Sequence, residues 1–151
     1  PRTNPISCGR ATNTPRPARL LHLLLPLRGK ESLSPGALLA ARNKFAARIP
    51  GPSDGSYMTT SDAFAPDFRM FRMEGRLWCE MRGFWDVHGD FMGGPFVSYT
   101  TVDTATNRVF TLDCYIYSPK NPKRNYMRGV EHLLYLVKFP AAEAPQEEQR
   151  Q

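Results

Sequence analysis

The stretch FRMEGRLWCEMRGFWDV, residues 71–87, decides the fold. Its odd positions read Phe71, Met73, Gly75, Leu77, Cys79, Met81, Gly83, Trp85 and Val87, while its even positions include Arg72, Glu74, Arg76, Glu80, Arg82 and Asp86. Apolar residues at every second position predict an extended chain with one buried and one wet face. Strands seldom run so long unbroken, so Gly75 and Gly83 are expected to bend or bulge this one. Trp78 breaks the alternation. It either covers a second apolar patch or lies along the arginine stems beside it.

Downstream, Gly83 to Tyr99 reads GFWDVHGDFMGGPFVSY. Gly93, Gly94 and Pro95 in a row permit backbone angles closed to other residues and remove an amide donor, which predicts a shaped corner between two strands. Trp85, Phe91, Met92 and Phe96 are expected to crowd it. Two further β-rich runs, 96–103 and 108–117, flank Thr104-Ala105-Thr106-Asn107, the expected turn of a hairpin. Phe110, Leu112, Cys114 and Ile116 fall on one face of the second run.

Upstream, Ser34-Pro35 supplies an N-cap and a first helical residue, and Leu38, Ala41, Phe45 and Ile49 recur at helical spacing until Pro50-Gly51. Residues 56–60 form a short strand candidate. The leucine-rich run 20–27 reads as a strand buried on both faces, placed at an edge or ended by Pro26. Asn121-Pro122 opens a last helix whose stripe is Met127, Val130, Leu134 and Val137, widened by Tyr126 and Leu133 and closed by Pro140. The predicted fold class is α+β: a two-layer, mainly antiparallel sheet of about five strands with two helices packed on one face. Residues 31–140 form one domain, residues 1–30 an irregular basic segment with one possible strand, and residues 141–151 a disordered tail.

The chain has 151 residues, 41% of them hydrophobic, enough for one domain with a core. The formal charge is +6. Arg2, Arg10, Arg16, Arg19, Arg28 and Lys30 account for all of it, and the rest of the chain is neutral. A phosphate-tracking surface would carry its charge on the domain itself, which argues against nucleic acid as a partner. No stretch is long and apolar enough for a membrane span. Run 20–27 imitates a signal peptide but is followed by Arg28 and Lys30 rather than a cleavage site. Cys8, Cys79 and Cys114 lack metal or disulfide-scaffold spacing, and the last two read as small buried hydrophobes.

Residues 37–140 resemble a family of Bacteroidetes cell-envelope lipoproteins catalogued as domain of unknown function 4837. The resemblance is carried by Arg42 with Ile49-Pro50-Gly51, Tyr57-Met58-Thr59-Thr60, Arg82-Gly83 with Trp85, and Asp90-Phe91-Met92-Gly93-Gly94-Pro95-Phe96-Val97-Ser98. Tyr117 with Pro119, Lys123-Arg124 and the Arg128 to Glu131 pair complete it. It implies the C-terminal part of a longer lipoprotein, periplasmic or surface-facing, whose N-terminal half would be a partner. A start at Pro1 without Met fits a fragment. It implies no activity.

Asp86, His88 and Asp90 alternate and would project from one strand face, where they could orient a base or hold a metal for a hydrolase. The same residues also make an ordinary solvated strand end. Asp90 can instead accept amide hydrogens from the glycine turn and fix the corner. With Gly93, Gly94 and Ser98, walled by Trp85 and Phe96, it could also outline a small polar pocket for a ligand or another envelope protein. Lys120, Lys123, Arg124 and Arg128 read as a wet helix face, with Arg128 and Glu131 able to pair. No nucleophile elbow, phosphate loop or cofactor motif is present. The expectation is therefore a non-enzymatic module without a cofactor or metal, with a hydrolase or metal enzyme using Asp86, His88 and Asp90 as the alternative.

Overall fold

Residues 71–87 are two strands, not one. In this computed structural model, which describes residues 18–27, 29–119 and 121–139, Glu74 and Gly75 both take positive φ, 50° and 74°. Two such residues in succession make the tight turn whose twist suits a hairpin. They join β3 (Asp67–Met73) to β4 (Arg76–His88), with Met73 opposite Arg76. A two-residue turn pairs odd positions with even ones, so Phe71 and Met73 lie on the side of Trp78 and not of Met81. That reversal of parity is why a seventeen-residue alternation does not mark one face.

The other strands and the α-helices are β1 (Ala18–Pro26), α1 (Pro35–Ala46), β2 (Tyr57–Thr60), β5 (Gly93–Asp103), β6 (Arg108–Ile116) and α2 (Arg124–Leu134), with a short 3-10 turn, Lys30–Leu33, before α1. Six strands form one antiparallel sheet in the order β1-β6-β5-β4-β2, curled into a half-barrel. The far edge of β4 is shared, β3 pairing with its first half and β2 with its second. The hairpin at 104–107 is as expected: Asp103 faces Arg108, and its carboxylate accepts from Ala105 N and Thr106 Oγ1. Strand β1 is an edge strand but is not buried on both sides. Leu23 is buried, whereas Leu20 and Leu24, on the other face, are about half exposed.

The helices lie on opposite faces of the sheet, which corrects the expected single-faced, two-layer packing. Ala46 of α1 packs with Met58, Met81, Trp85, Val87, Phe96 and Tyr115. Val130 and Leu134 of α2 pack with Trp78, Val97, Tyr99, Leu112 and Cys114. Phe96 and Val97, like Cys114 and Tyr115, are neighbours on one strand and so point to opposite faces. Both sheet faces are therefore core, and Trp78 covers the second patch. Each fully buried tryptophan stabilises the fold by at most about 4–6 kcal/mol from its area alone. Cys79 lies on the α1 face and Cys114 on the α2 face; both are free and buried. Burial pushes the Cys114 thiol up to about 12.

Helix α1 starts as expected, Ser34 Oγ accepting from Ala37 N at 3.3 Å, but ends at Ala46, leaving Ile49 in the following turn. In α2 the expected cap fails. Asn121 instead donates to Ser118 Oγ, the helix begins at Arg124, and it ends at Leu134 with Val137 beyond it. The irregular segment before residue 18, Lys120, Pro140 as a helix stop and the tail from Ala141 lie outside the described residues.

Candidate functional site

The buried positions of α1 are Leu38, Arg42 and Ala46, one turn apart, so a cation occupies the middle of the helix's core-facing stripe. Arg42 is 3% exposed. Its Nε donates to Asp113 Oδ2 at 2.9 Å and its Nη1 to Thr60 Oγ1 at 2.8 Å. The Thr60 hydroxyl and amide both donate to Asn43 Oδ1, at 2.6 and 3.1 Å. The guanidinium carbon lies over the Phe96 ring, 3.5 Å from its centroid, while Nη2 has no hydrogen-bond partner among the described residues. Stacking on the ring's negative face partly compensates that orphaned donor.

Strand register explains how these residues meet. Phe96, Ser98 and Thr100 on β5 face the same side as Tyr115, Asp113 and Thr111 on β6, and α1 lies over that side. Gly83 stands opposite Phe96, and a Cβ there would come within 2.8 Å of the ring, so the missing side chain makes room for Arg42's platform. Burial pushes the Asp113 carboxyl up and the Arg42 guanidinium down, each opposed by the other's charge. Removing both charges from water costs several kcal/mol per ion, so the pair's clearest effect is to fix where α1 sits.

Beside this pair a cavity of ≈ 360 Å³ opens between α1 and strands β1, β5 and β6. Leu23, Leu25, Leu38, Phe45 and Val109 make its apolar walls, and Ser98, Thr100 and Thr111 add hydroxyls. Thr100 and Thr111 satisfy one another at 2.9 Å. Arg42 and the exposed Lys44 complete its charged lining. Its described lining contains no carboxylate, imidazole or thiol.

The expected corner pocket is dispersed. Gly93, Gly94 and Pro95 lie inside β5, paired with Asp86, Trp85 and Phe84, and the chain turns earlier, at 89–92, where Gly89 has φ 84°. Glycine is needed at 94 for close approach, since a Cβ would fall onto the Ile116 carbonyl oxygen beneath the Trp85 indole. Trp85 is buried and donates through Nε1 to that same oxygen at 3.2 Å. A Cβ on Gly93 would lie 2.7 Å from the Trp85 carbonyl oxygen. Phe91, expected to pack, is fully exposed. Of the six expected ligand-binding residues only Ser98 lines the cavity, with Phe96 next to it under Arg42.

Asp90 does brace a turn, but not through the glycine amides. It accepts from Phe91 N and from Ser53 Oγ, both at 2.6 Å, and the Ser53 and then the Phe91 bond hold its carboxyl below the usual range. His88 stacks on Tyr57, ring centroids 5.0 Å apart. Asp86, His88 and Asp90 do not gather, and no group of three or more His, Cys, Asp or Glu placed to hold a metal occurs among the described residues.

On the other face, Glu80 accepts from Arg69 at 3.1 Å and from Arg82 at 2.8 and 2.9 Å. Arg82 reaches on to Glu131 of α2 at 2.6 Å, so Glu131 is paired there rather than with Arg128. Burial would raise the Glu80 carboxyl, but the two guanidinium groups outweigh it and hold it low. The long-range pair of Arg42 and Asp113, 71 residues apart, was missed in the sequence. Its signals were an arginine on a buried stripe and an aspartate inside the apolar strand VFTLDCYI.

A family described as a domain of unknown function (DUF4837) matches residues 10–135. No curated protein and no solved structure matches the chain.

Proposed function

From the premise that this chain belongs to the DUF4837 family, we propose that it is a non-enzymatic ligand-binding module whose site is the cavity under α1. One observation carries the reading: a cavity of ≈ 360 Å³, within the range of about 300–1,000 Å³ typical of ligand pockets, has mainly apolar walls and no carboxylate, imidazole or thiol in its described lining. The ion pair of Arg42 and Asp113 holds the helix that roofs it. The ligand therefore belongs between α1 and the sheet, rather than at the loop 89–92.

By its likeness to envelope lipoproteins, we place the module in the cell envelope, working with an N-terminal half of the same protein. Nothing in the geometry favours the hydrolase alternative, because Asp90 is engaged by Ser53 and His88 by Tyr57. Titration with the apolar dye Nile red tests the binding reading. Saturation should come at one dye per chain and be abolished by Ala37→Trp, at an exposed helix position whose new side chain fills the cavity. Unchanged saturation in a folded Ala37→Trp protein would sink it.

A further inference from the structure

Resting on that reading, we infer that the cavity takes a neutral, mainly apolar molecule whose carbonyl oxygen accepts hydrogen bonds from Arg42 Nη2 and Ser98 Oγ. Three buried side-chain polar atoms lack a hydrogen bond among the described residues, and these are two of them. Both belong to residues that line the cavity, Arg42 being 3% and Ser98 1% exposed. Arg42 donates from Nε to Asp113, and Ser98 stands directly across the ladder from Asp113, so the two orphans flank one carboxylate. A buried donor left unmatched is destabilising, and an acceptor brought in by a ligand relieves that cost.

The same surroundings set the ligand's charge. Burial raises the Asp113 carboxyl and Arg42 opposes it; Ser98 lies close enough to favour the charged form too, but its Oγ falls short of a hydrogen bond and can turn to an incoming oxygen. Arg42 is already matched by Asp113 at 2.9 Å, and a ligand carboxylate would lie beside that buried anion, so a neutral oxygen fits where a charged one is repelled. Arg42 and Lys44 donate and never accept, which favours a ligand that accepts. Elsewhere Thr100 and Thr111 bond to each other, and Leu23, Leu38, Phe45 and Val109 offer only apolar contact. A ketone, ester or amide oxygen on a hydrocarbon body meets these terms.

Displacement of bound Nile red by 2-octanone, by its alkene isostere 2-methyl-1-octene and by octanoate tests it. The ketone should bind about tenfold more tightly than the alkene, and octanoate more weakly than the ketone. Ser98→Ala, which removes one donor without adding volume, should cut the ketone's advantage about threefold. Arg42→Met with Asp113→Leu, which removes the other donor without leaving a buried charge unmatched, should also cut it while the alkene stays bound. Equal displacement by ketone and alkene, tighter binding of octanoate, or an advantage unchanged in both folded variants overturns the carbonyl inference and leaves the cavity reading standing. A dye that never binds the folded wild type overturns both.

Discussion

At Arg42 a single side chain ties the helix to three strands, touching Asp113 on β6, Thr60 on β2 and Phe96 on β5. Taking away one partner leaves the other charge buried and unmatched, which costs about 3–5 kcal/mol, whereas replacing both with apolar side chains of similar volume is close to neutral. Urea unfolding should therefore show Asp113→Ala strongly destabilised and Arg42→Met with Asp113→Leu recovering much of the loss. Equal, additive losses would mean that the pair acts only through packing. Gly94→Ala tests the other residue-scale constraint. Its methyl has no space beside the Ile116 carbonyl oxygen, so it should cost about 1–3 kcal/mol, read as a lower denaturation midpoint.

Among the elements, the hairpin of β3 and β4 matters most because it sets which side chains each face receives. Its turn places Glu74, a residue with a Cβ, at φ 50°, where asparagine is far more at ease. Glu74→Asn should raise stability by a few tenths to about 1 kcal/mol, measured as a shift in thermal midpoint. The ion pair lost with it, between Glu74 and Lys138, has both side chains more than 60% exposed and contributes little. Much at this scale was legible in the sequence: the period two and the glycine at 75 of this hairpin, and the start of α1 at Ser34-Pro35, were all there to read. The turn itself was not, because Glu74-Gly75 lacks the Asn-Gly or Asp-Gly signature and an unbroken alternation hides a change of face.

For the whole molecule, two helices on two faces divide the polar interior into separate networks. Arg42 of α1 pairs with Asp113 on one face; Arg69 and Arg82 pair with Glu80 on the other, where Arg82 also reaches Glu131 of α2. Glu80 has a folded pKa below its unfolded value, so it contributes stability that is present above the unfolded value and is lost as pH falls through the folded one. Unfolding measured between neutral pH and pH 3 should show that contribution fading below about pH 4. Glu80→Gln should flatten the same limb. An unchanged acid slope in the variant would assign the loss elsewhere.

Local pattern alone determined the antiparallel strands, the hairpin at 104–107, the presence of both helices and the neutral charge of the chain after residue 30, since each depends on neighbours a few residues apart. Only tertiary structure decided which face each helix covers, why Gly83 and Gly94 must lack side chains, and that Arg42 meets Asp113 above a cavity. Those outcomes depend on strand register and on close approach between segments far apart in the chain, and neither leaves a periodic mark in the sequence.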